Sequence, residues 1–175
     1  MAQSNEFRAD SPEPHHTAIK VYNISRSMAF YSLFGWEEVG RFRAGPARAV
    51  WLKIREEGCA THRLELIEVP PTFSPAPRAS DLSSPAYIAT TGLNHFTLDV
   101  TAASRSSGGL RAYLQLLNAR SEALFDRSVR LAVDPYQQIV AQDVYEMALV
   151  SDPDGVLLEL IAFNGTLPQK MDDAW

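Results

Sequence analysis

Two histidines and two glutamates occupy equivalent places in the two halves of the sequence. His16 opens the stretch His-Thr-Ala-Ile-Lys-Val, and His95 opens the similar stretch His-Phe-Thr-Leu-Asp-Val. Further along each half, Glu65 and Glu159 each lie in a stretch that reads Leu-Glu-Leu-Ile. Two imidazoles and two carboxylates form a donor set that suits one divalent cation such as Zn²⁺, Ni²⁺ or Fe²⁺. The repeat therefore predicts a metal site made of His16, Glu65, His95 and Glu159.

The alternation of side chains along a strand predicts where these glutamates point. Glu65 shares a strand face with Arg63 and Ile67, whereas its leucine neighbours face the other way, and Glu159 repeats the pattern. We expect the leucine face to pack under a helix and the glutamate face to look into a concave cavity. Buried carboxylates and imidazoles need a cation or hydrogen bonds to replace their lost hydration. Three further candidates fall on the opposite strand face and are excluded: His15, His62 and Glu68.

The elements that must position these residues repeat in the order strand, helix and three strands. This pattern predicts an α+β protein with two βαβββ modules, whose strands form a curled mixed sheet around a metal-binding cavity. A proline-rich linker separates the two modules, and a tail lies at each end of the chain. The predicted segments are an N-terminal tail (1–14), a first module (15–70), a linker (71–92), a second module (93–164) and a C-terminal tail (165–175).

Local signals place the helices and the last hairpin. Ser25 is a plausible N-cap for a helix from Arg26 to Phe34, and spaced apolar residues predict a second helix from Leu110 to Leu124. The run Asp-Pro-Asp-Gly at 152–155 is typical of a turn and predicts a hairpin. The segment 134–142 carries no clear pattern and stays unassigned.

Composition limits the class of protein. The 175 residues are 46% hydrophobic and 21% charged, which is enough apolar material to bury a core. No apolar run approaches the roughly 20 residues that cross a bilayer, and the single cysteine, Cys59, has no partner for a disulfide. The net charge of −5 argues against nucleic-acid and anionic-membrane partners. We expect a soluble, cytoplasmic protein that acts on or binds a small molecule.

Four pieces of the sequence together resemble the vicinal oxygen chelate superfamily, which includes glyoxalase I, extradiol dioxygenases and bleomycin-binding proteins. The last piece is the Asp-Pro-Asp-Gly turn that leads into a glutamate-bearing strand, and the resemblance spans roughly residues 16–163. The fold hosts several chemistries, so the resemblance does not select one reaction. The pieces are His16–Val21, Ser27–Tyr31 with Gly35 closing the helix, His95–Val100, and Asp152–Gly155 followed by Leu158–Leu160.

The number of candidate ligands bears on which branch is the best match. The resemblance implies a His-His-Glu triad for the dioxygenase branch, for which His16, His95 and Glu159 would suffice. Glyoxalase I uses a fourth ligand in the first half, where Glu65 stands, and the bleomycin-binding branch generally lacks the set. A glyoxalase I-like isomerase or lyase, similar to lactoylglutathione lyase, is therefore the first interpretation. An Fe²⁺ extradiol-type dioxygenase and a non-catalytic binding relative are the alternatives.

The resemblance also implies a reaction and its contacts. One metal ion would bind two oxygens of a small substrate, such as the hemithioacetal of an α-oxoaldehyde, and either Glu159 or Glu65 would remove a proton as general base. Lys20 stands where glyoxalase I has an arginine for a glutathione carboxylate, so glutathione is a candidate co-substrate. Two other glutathione contacts are replaced by Val69 and Thr91, which keeps a different bidentate substrate open.

Two residues of the strand before Glu159 complete the candidate site. Tyr145 and Met147 share a strand face and line either the substrate pocket or the core. Related proteins pair their modules within one chain or across a dimer, so a homodimer is left open.

Overall fold

A computed structural model describes residues 15–54, 62–70, 72–73, 82 and 91–171. The predicted N-terminal tail, Cys59 and most of the proline-rich linker lie outside these ranges. The first half contains strand β1 (His16–Val21), helix α1 (Ile24–Ser32) and strands β2 (Trp36–Ala44), β3 (Ala47–Ile54) and β4 (Arg63–Glu68). The second half contains strand β5 (His95–Asp99), helices α2 (Thr101–Ser107) and α3 (Leu110–Phe125), and strands β6 (Arg130–Ser151) and β7 (Leu157–Met171).

The strands form two mixed sheets, one from each half. The first sheet has the order β1-β4-β3-β2 and the second has the order β5-β7-β6. In each sheet the histidine-bearing strand runs parallel to the glutamate-bearing strand, and the remaining neighbours are antiparallel. This arrangement confirms the predicted α+β class with two strand-helix-strand modules.

The second sheet has three strands among the described residues, whereas the repeat predicted four. In the first half the chain reverses between β2 and β3 at Gly45, which has a positive φ of 60°. The corresponding part of the second half contains no glycine between Arg130 and Ser151, and β6 continues through all 22 residues. The unassigned segment 134–142 is therefore part of β6.

The strand register is the same in both halves. Ala18 of β1 lies opposite Glu65 of β4, and Thr97 of β5 lies opposite Glu159 of β7. Each of these partners follows, by two residues, the histidine that opens its strand. A spacing of two keeps a side chain on the same strand face, so each glutamate faces the same side of its sheet as its histidine. The predicted register is confirmed.

The leucines that flank the glutamates form the centre of the core, as predicted. Leu64, Leu66, Leu158 and Leu160 are each at most 1% exposed. They join a single apolar cluster that includes residues of α1 and α3, so the two halves share one core. No helix in the described ranges is long and apolar enough to cross a membrane.

The first helix begins earlier than predicted. Its N-cap is Asn23, whose side chain accepts a 2.9 Å hydrogen bond from the backbone N–H of Arg26. The prediction of Ser25 as N-cap was wrong. Asparagine caps a helix at least as well as serine, so Asn23 can take this role. The Glu68 carboxylate also accepts a 3.2 Å hydrogen bond from Ile24 N–H, which has no partner within the helix.

Two further segments differ from the predicted boundaries. Helix α2 was not predicted, because its hydroxyl-rich sequence Thr-Ala-Ala-Ser-Arg-Ser-Ser has a composition more typical of turns. The predicted C-terminal tail continues strand β7 as far as Met171, with Thr166 opposite Asp143 and Met171 opposite Ala141. Residues 172–175 lie outside the described ranges.

Candidate metal centre

The first half-site consists of His16 and Glu65 on the neighbouring strands β1 and β4. The imidazole Nε2 of His16 lies 3.0 Å from Oε2 of Glu65. The Glu65 side chain is 10% exposed, whereas the histidine is one-third exposed. The nearly buried Glu65 carboxylate is thus in contact with the partly exposed His16 imidazole.

The second half-site repeats this geometry with His95 and Glu159 on β5 and β7. Their Nε2 and Oε2 atoms are 3.4 Å apart, and the Thr97 hydroxyl donates a 2.8 Å hydrogen bond to the same carboxylate oxygen. Nδ1 of His95 lies 2.8 Å from Oδ1 of Asn94. An Nδ1–H that donates to this oxygen leaves the lone pair of Nε2 available to a metal cation on the side of the carboxylate.

The separations within each half-site fit two ligands of one cation. With metal–ligand bonds near 2.1 Å, donor atoms that subtend roughly 90° to 110° at the metal lie about 3.0–3.4 Å apart. The two observed separations of 3.0 and 3.4 Å fall in this range. Imidazole nitrogen and carboxylate oxygen are also suitable donors for Zn²⁺, Ni²⁺ or Fe²⁺. The residues present therefore fit the predicted group.

The described part of the chain does not bring the two half-sites together. No group of three or more His, Cys, Asp or Glu residues within it is arranged to hold a metal ion. The structure thus pairs His16 with Glu65 and His95 with Glu159, and each pair supplies two ligands. The described residues of one chain therefore present two equivalent half-sites.

An aromatic and cationic wall that the sequence analysis missed borders the first half-site. Trp51 of β3 lies opposite Glu65, and its ring centroid is 5.8 Å from that of His16. The Arg63 guanidinium lies over the Trp51 ring at 5.5 Å and contacts His15. His15, which was excluded as a ligand, approaches His16 with their Nδ1 atoms 2.9 Å apart. The sequence did contain a signal for this wall, because Arg63 lies two residues before Glu65 and so shares its strand face.

The three predicted substrate-binding residues lie on β1 and on β6, the strand that pairs with β7. Lys20 is exposed on the same strand face as His16. Tyr145 and Met147 share the sheet face of Glu159, since the residue opposite Glu159 on β6 is Leu149. The Tyr145 ring packs edge-to-face against Phe163, with centroids 5.7 Å apart, and Met147 is buried. Tyr145 and Met147 thus make core-like contacts beside the half-site.

Glu68 has a structural position on the other strand face. It is 6% exposed, forms an ion pair with Arg48 and accepts the hydrogen bond from Ile24 N–H at the start of α1. Its exclusion from the ligand set agrees with this placement.

The Asp-Pro-Asp-Gly turn connects the two halves. The buried Asp152 carboxylate accepts backbone hydrogen bonds from Asp154 and Val156 at 2.9 and 2.7 Å, and a 2.9 Å hydrogen bond from the Tyr31 hydroxyl of α1. Burial raises the pKa of Asp152 above its ordinary value. Asp154 forms an ion pair with Arg26, also in α1. The turn therefore fixes the first helix to the second half.

No protein-family model matches the sequence, and a search of curated proteins finds no match. Solved structures do match in fold. A glyoxalase/dioxygenase from Nostoc punctiforme is 17% identical, with 94% of this chain and 100% of that chain covered and a TM-score of 0.59. A glyoxalase family protein from Enterococcus faecalis is 21% identical, with 85% and 96% covered and a TM-score of 0.53.

The glyoxalase I of Leishmania major, described as trypanothione-dependent, is 20% identical, with 87% of each chain covered and a TM-score of 0.50. A glyoxylase/bleomycin resistance protein/dioxygenase domain from Frankia is 15% identical, with 88% and 99% covered and the same TM-score of 0.50. Identities this low establish the fold and leave the reaction open. The chain therefore has the vicinal oxygen chelate fold of the glyoxalase, bleomycin resistance and dioxygenase proteins.

Proposed function

We propose that the protein is a metal-dependent enzyme of the glyoxalase I-like type, an isomerase or lyase that acts on a small substrate with two adjacent oxygens. The divalent cation would be held by His16, Glu65, His95 and Glu159. The observation that carries the proposal is the repeated half-site, in which a histidine and a glutamate share the same register and nearly the same separation in both sheets.

We infer that the complete site forms between two copies of the chain. Each copy offers two half-sites that do not meet within its described residues, and each half-site supplies only two ligands. A symmetric dimer that joins the first half-site of one copy to the second half-site of its partner would give two complete sites of four ligands each. The protein would then be an obligate homodimer for metal binding.

The two glutamates have different surroundings, and this difference favours one of them as the general base. Thr97 donates a hydrogen bond to Glu159, whereas the equivalent position opposite Glu65 is Ala18, which has no hydroxyl. The hydroxyl holds Glu159 in place as a ligand. Glu65 keeps His16 as its polar contact and is freer to approach a substrate carbon and take its proton.

The bound cation would supply positive charge for the two substrate oxygens as negative charge develops on them. The remaining work belongs to the chain. Glu65 accepts the proton from one carbon and returns it to the neighbouring carbon, and Glu159 fixes the orientation of the site. Trp51 and Arg63, which pack beside His16 and Glu65, would limit the access of water to the Glu65 side of the site. Lys20, exposed on the same strand face as His16, is placed to pair with a substrate carboxylate.

The first substrate candidate is the hemithioacetal of an α-oxoaldehyde with glutathione or a related thiol. Lys20 supports an anionic thiol carrier, and the replacement of two glutathione contacts by Val69 and Thr91 keeps other bidentate substrates in view. A second candidate function is an Fe²⁺ oxygenase. It draws support from Glu159, whose fixed carboxylate would complete a triad with His16 and His95.

Metal analysis and oxygen uptake test these proposals. Protein purified without added metal is analysed for its elements and assayed with α-oxoaldehyde hemithioacetals and with catechols. Zn²⁺ or Ni²⁺ near one ion per chain, with turnover that consumes no oxygen, supports the isomerase. Fe²⁺ with oxygen uptake supports the oxygenase instead. Tight binding of a substrate without product supports the non-catalytic relative, and a chain that binds no divalent ion contradicts the metal site.

A further inference from the structure

One cavity of the structure lies outside both half-sites. It has a volume of about 500 Å³ and sits between helix α1, the end of helix α3, the start of β6 and the turn at Asp152 and Pro153. It shares no residue with the half-sites or with the predicted substrate contacts. Pockets that bind small molecules have volumes of roughly 300–1,000 Å³, so the cavity is large enough for one.

Two arginine side chains line this cavity without an ion pair to any described residue. They are Arg127 and Arg130, and neither side chain makes a hydrogen bond with the residues that the structure describes. The third cationic side chain, Arg26, is held by the Asp154 carboxylate and the Pro153 carbonyl. In a chain with a net charge of −5, two guanidinium groups that line one cavity and pair with no described residue provide a local site for an anion.

Two carboxylates near the cavity, those of Glu122 and Asp152, accept hydrogen bonds from other groups. The Glu122 carboxylate accepts hydrogen bonds from Asn118 and Ser128, at 2.9 and 2.8 Å. The Asp152 carboxylate is occupied by Tyr31 and by two backbone N–H groups of its own turn. Neither carboxylate is paired with Arg127 or Arg130 among the described residues, so both guanidinium groups keep their hydrogen-bond donors for a ligand.

Two largely buried serine residues also line the cavity. Ser121 and Ser151 are only 5% and 7% exposed, and their side chains bond to no other described residue. A serine hydroxyl without a partner in the protein bonds to water or to a ligand instead. Both serines can therefore donate to a molecule in the cavity. Phe30 and Phe125 add an apolar wall beside them.

We propose that this cavity binds a small organic anion with an aromatic or otherwise apolar body. Arg127 and Arg130 would pair with its carboxylate or phosphate group. Ser121 and Ser151 would donate hydrogen bonds to its remaining oxygens, and Phe30 and Phe125 would pack against its body. The site is separate from the proposed metal centre, so it is a site for a second ligand or an effector.

The test uses phenyl phosphate as the probe and benzyl alcohol as its neutral counterpart. Calorimetric titration of the full chain should give a dissociation constant of about 0.1–1 mM for phenyl phosphate, as expected for a ligand of this size, and at least about tenfold weaker binding of benzyl alcohol. Amide signals of Ser121 and Ser151 in NMR spectra should shift with phenyl phosphate. Replacement of Glu65 and Glu159 together by Gln should leave this binding unchanged, which separates it from the metal site.

A charge-matched pair of variants decides whether the cavity is responsible. R127Q/R130Q should weaken phenyl phosphate binding by at least about tenfold. The control R111Q/R120Q removes the same charge from α3 at positions outside the cavity and should have little effect. Equal weakening in both variants would mean that binding depends on the total positive charge of the chain rather than on the cavity, and this would overturn the proposal. Equal affinity for benzyl alcohol, or no binding of phenyl phosphate, would overturn it as well.

Discussion

The Tyr31 hydroxyl donates a 2.9 Å hydrogen bond to the carboxylate of Asp152, which lies 121 residues further along the chain. Tyr31 is fully buried in helix α1, and Asp152 is buried in the turn between β6 and β7. Two pieces of sequence that together resembled the superfamily, the Phe-Tyr helix and the Asp-Pro-Asp-Gly turn, are thus in direct contact. Their role in this chain is to hold the two halves together rather than to contribute to the metal site.

Removal of this hydrogen bond should destabilise the protein without changing metal binding. Y31F leaves a buried carboxylate oxygen without its donor, and we expect a loss of about 1–3 kcal/mol in the free energy of unfolding. Urea denaturation measures the loss, and Y136F, at an exposed tyrosine, is the control. In a double-mutant cycle with D152N, additive effects would mean that the two groups are not coupled in solution.

The raised pKa of Asp152 makes the stability of the protein depend on pH. Because burial favours the neutral carboxyl, the folded state holds this proton to a higher pH than the unfolded state does. The resulting stabilisation is fully present below the ordinary pKa of 3.8 and is lost as the pH rises through the raised pKa of the folded state. Wild type should therefore lose stability relative to D152N over this interval. Parallel unfolding curves at all pH values would contradict the shift.

The sequence was sufficient for features that depend on strand periodicity. The alternation of Leu64, Glu65 and Leu66 predicted which residues are buried and which face the half-site, because strand geometry repeats every two residues. The choice between two neighbouring candidate N-cap residues was harder to predict. Asn23 and Ser25 are both good N-caps, and the choice depends on Glu68, which reaches Ile24 from another strand. The separation of the two half-sites depends on how the sheets pack, and no spacing in the sequence encodes it.

Conservative changes at the three β4 and β7 glutamates should separate ligands from structural residues. E65Q and E159Q keep the size and one oxygen donor but remove the charge and the base, so we expect weaker metal binding in both. If Glu65 is the base, E65Q lowers activity by about 10²-fold or more. E159Q should lower metal content further than E65Q, because Thr97 marks Glu159 as the anchored ligand.

E68Q is the control for these variants. It should destabilise the protein, since Glu68 pairs with Arg48 and caps α1, and it should leave the metal content of the folded protein unchanged. Element analysis, activity and urea unfolding on the same samples distinguish these effects. Loss of metal in E68Q together with full metal in E65Q would mean that the assigned strand face is incorrect.

Mixed dimers provide the most direct test of a site shared between two copies. One variant, H16A/E65Q, lacks the first half-site, and the other, H95A/E159Q, lacks the second. Each variant alone should be inactive and poor in metal, because every site it forms misses two ligands. A mixed dimer in the shared arrangement has one site with all four native ligands and one with none.

If the subunits of the two variants exchange freely, about half of the dimers are mixed and each has one of its two sites intact. The mixture should therefore recover about a quarter of the wild-type activity and metal content per chain. If each site were instead built within one chain, no mixed dimer would contain a complete site and mixing would restore nothing. Separate unfolding and refolding of the two variants before they are combined controls for recovery caused by refolding alone. Because the metal content is measured alongside activity, the result holds even when the assayed substrate is not the natural one.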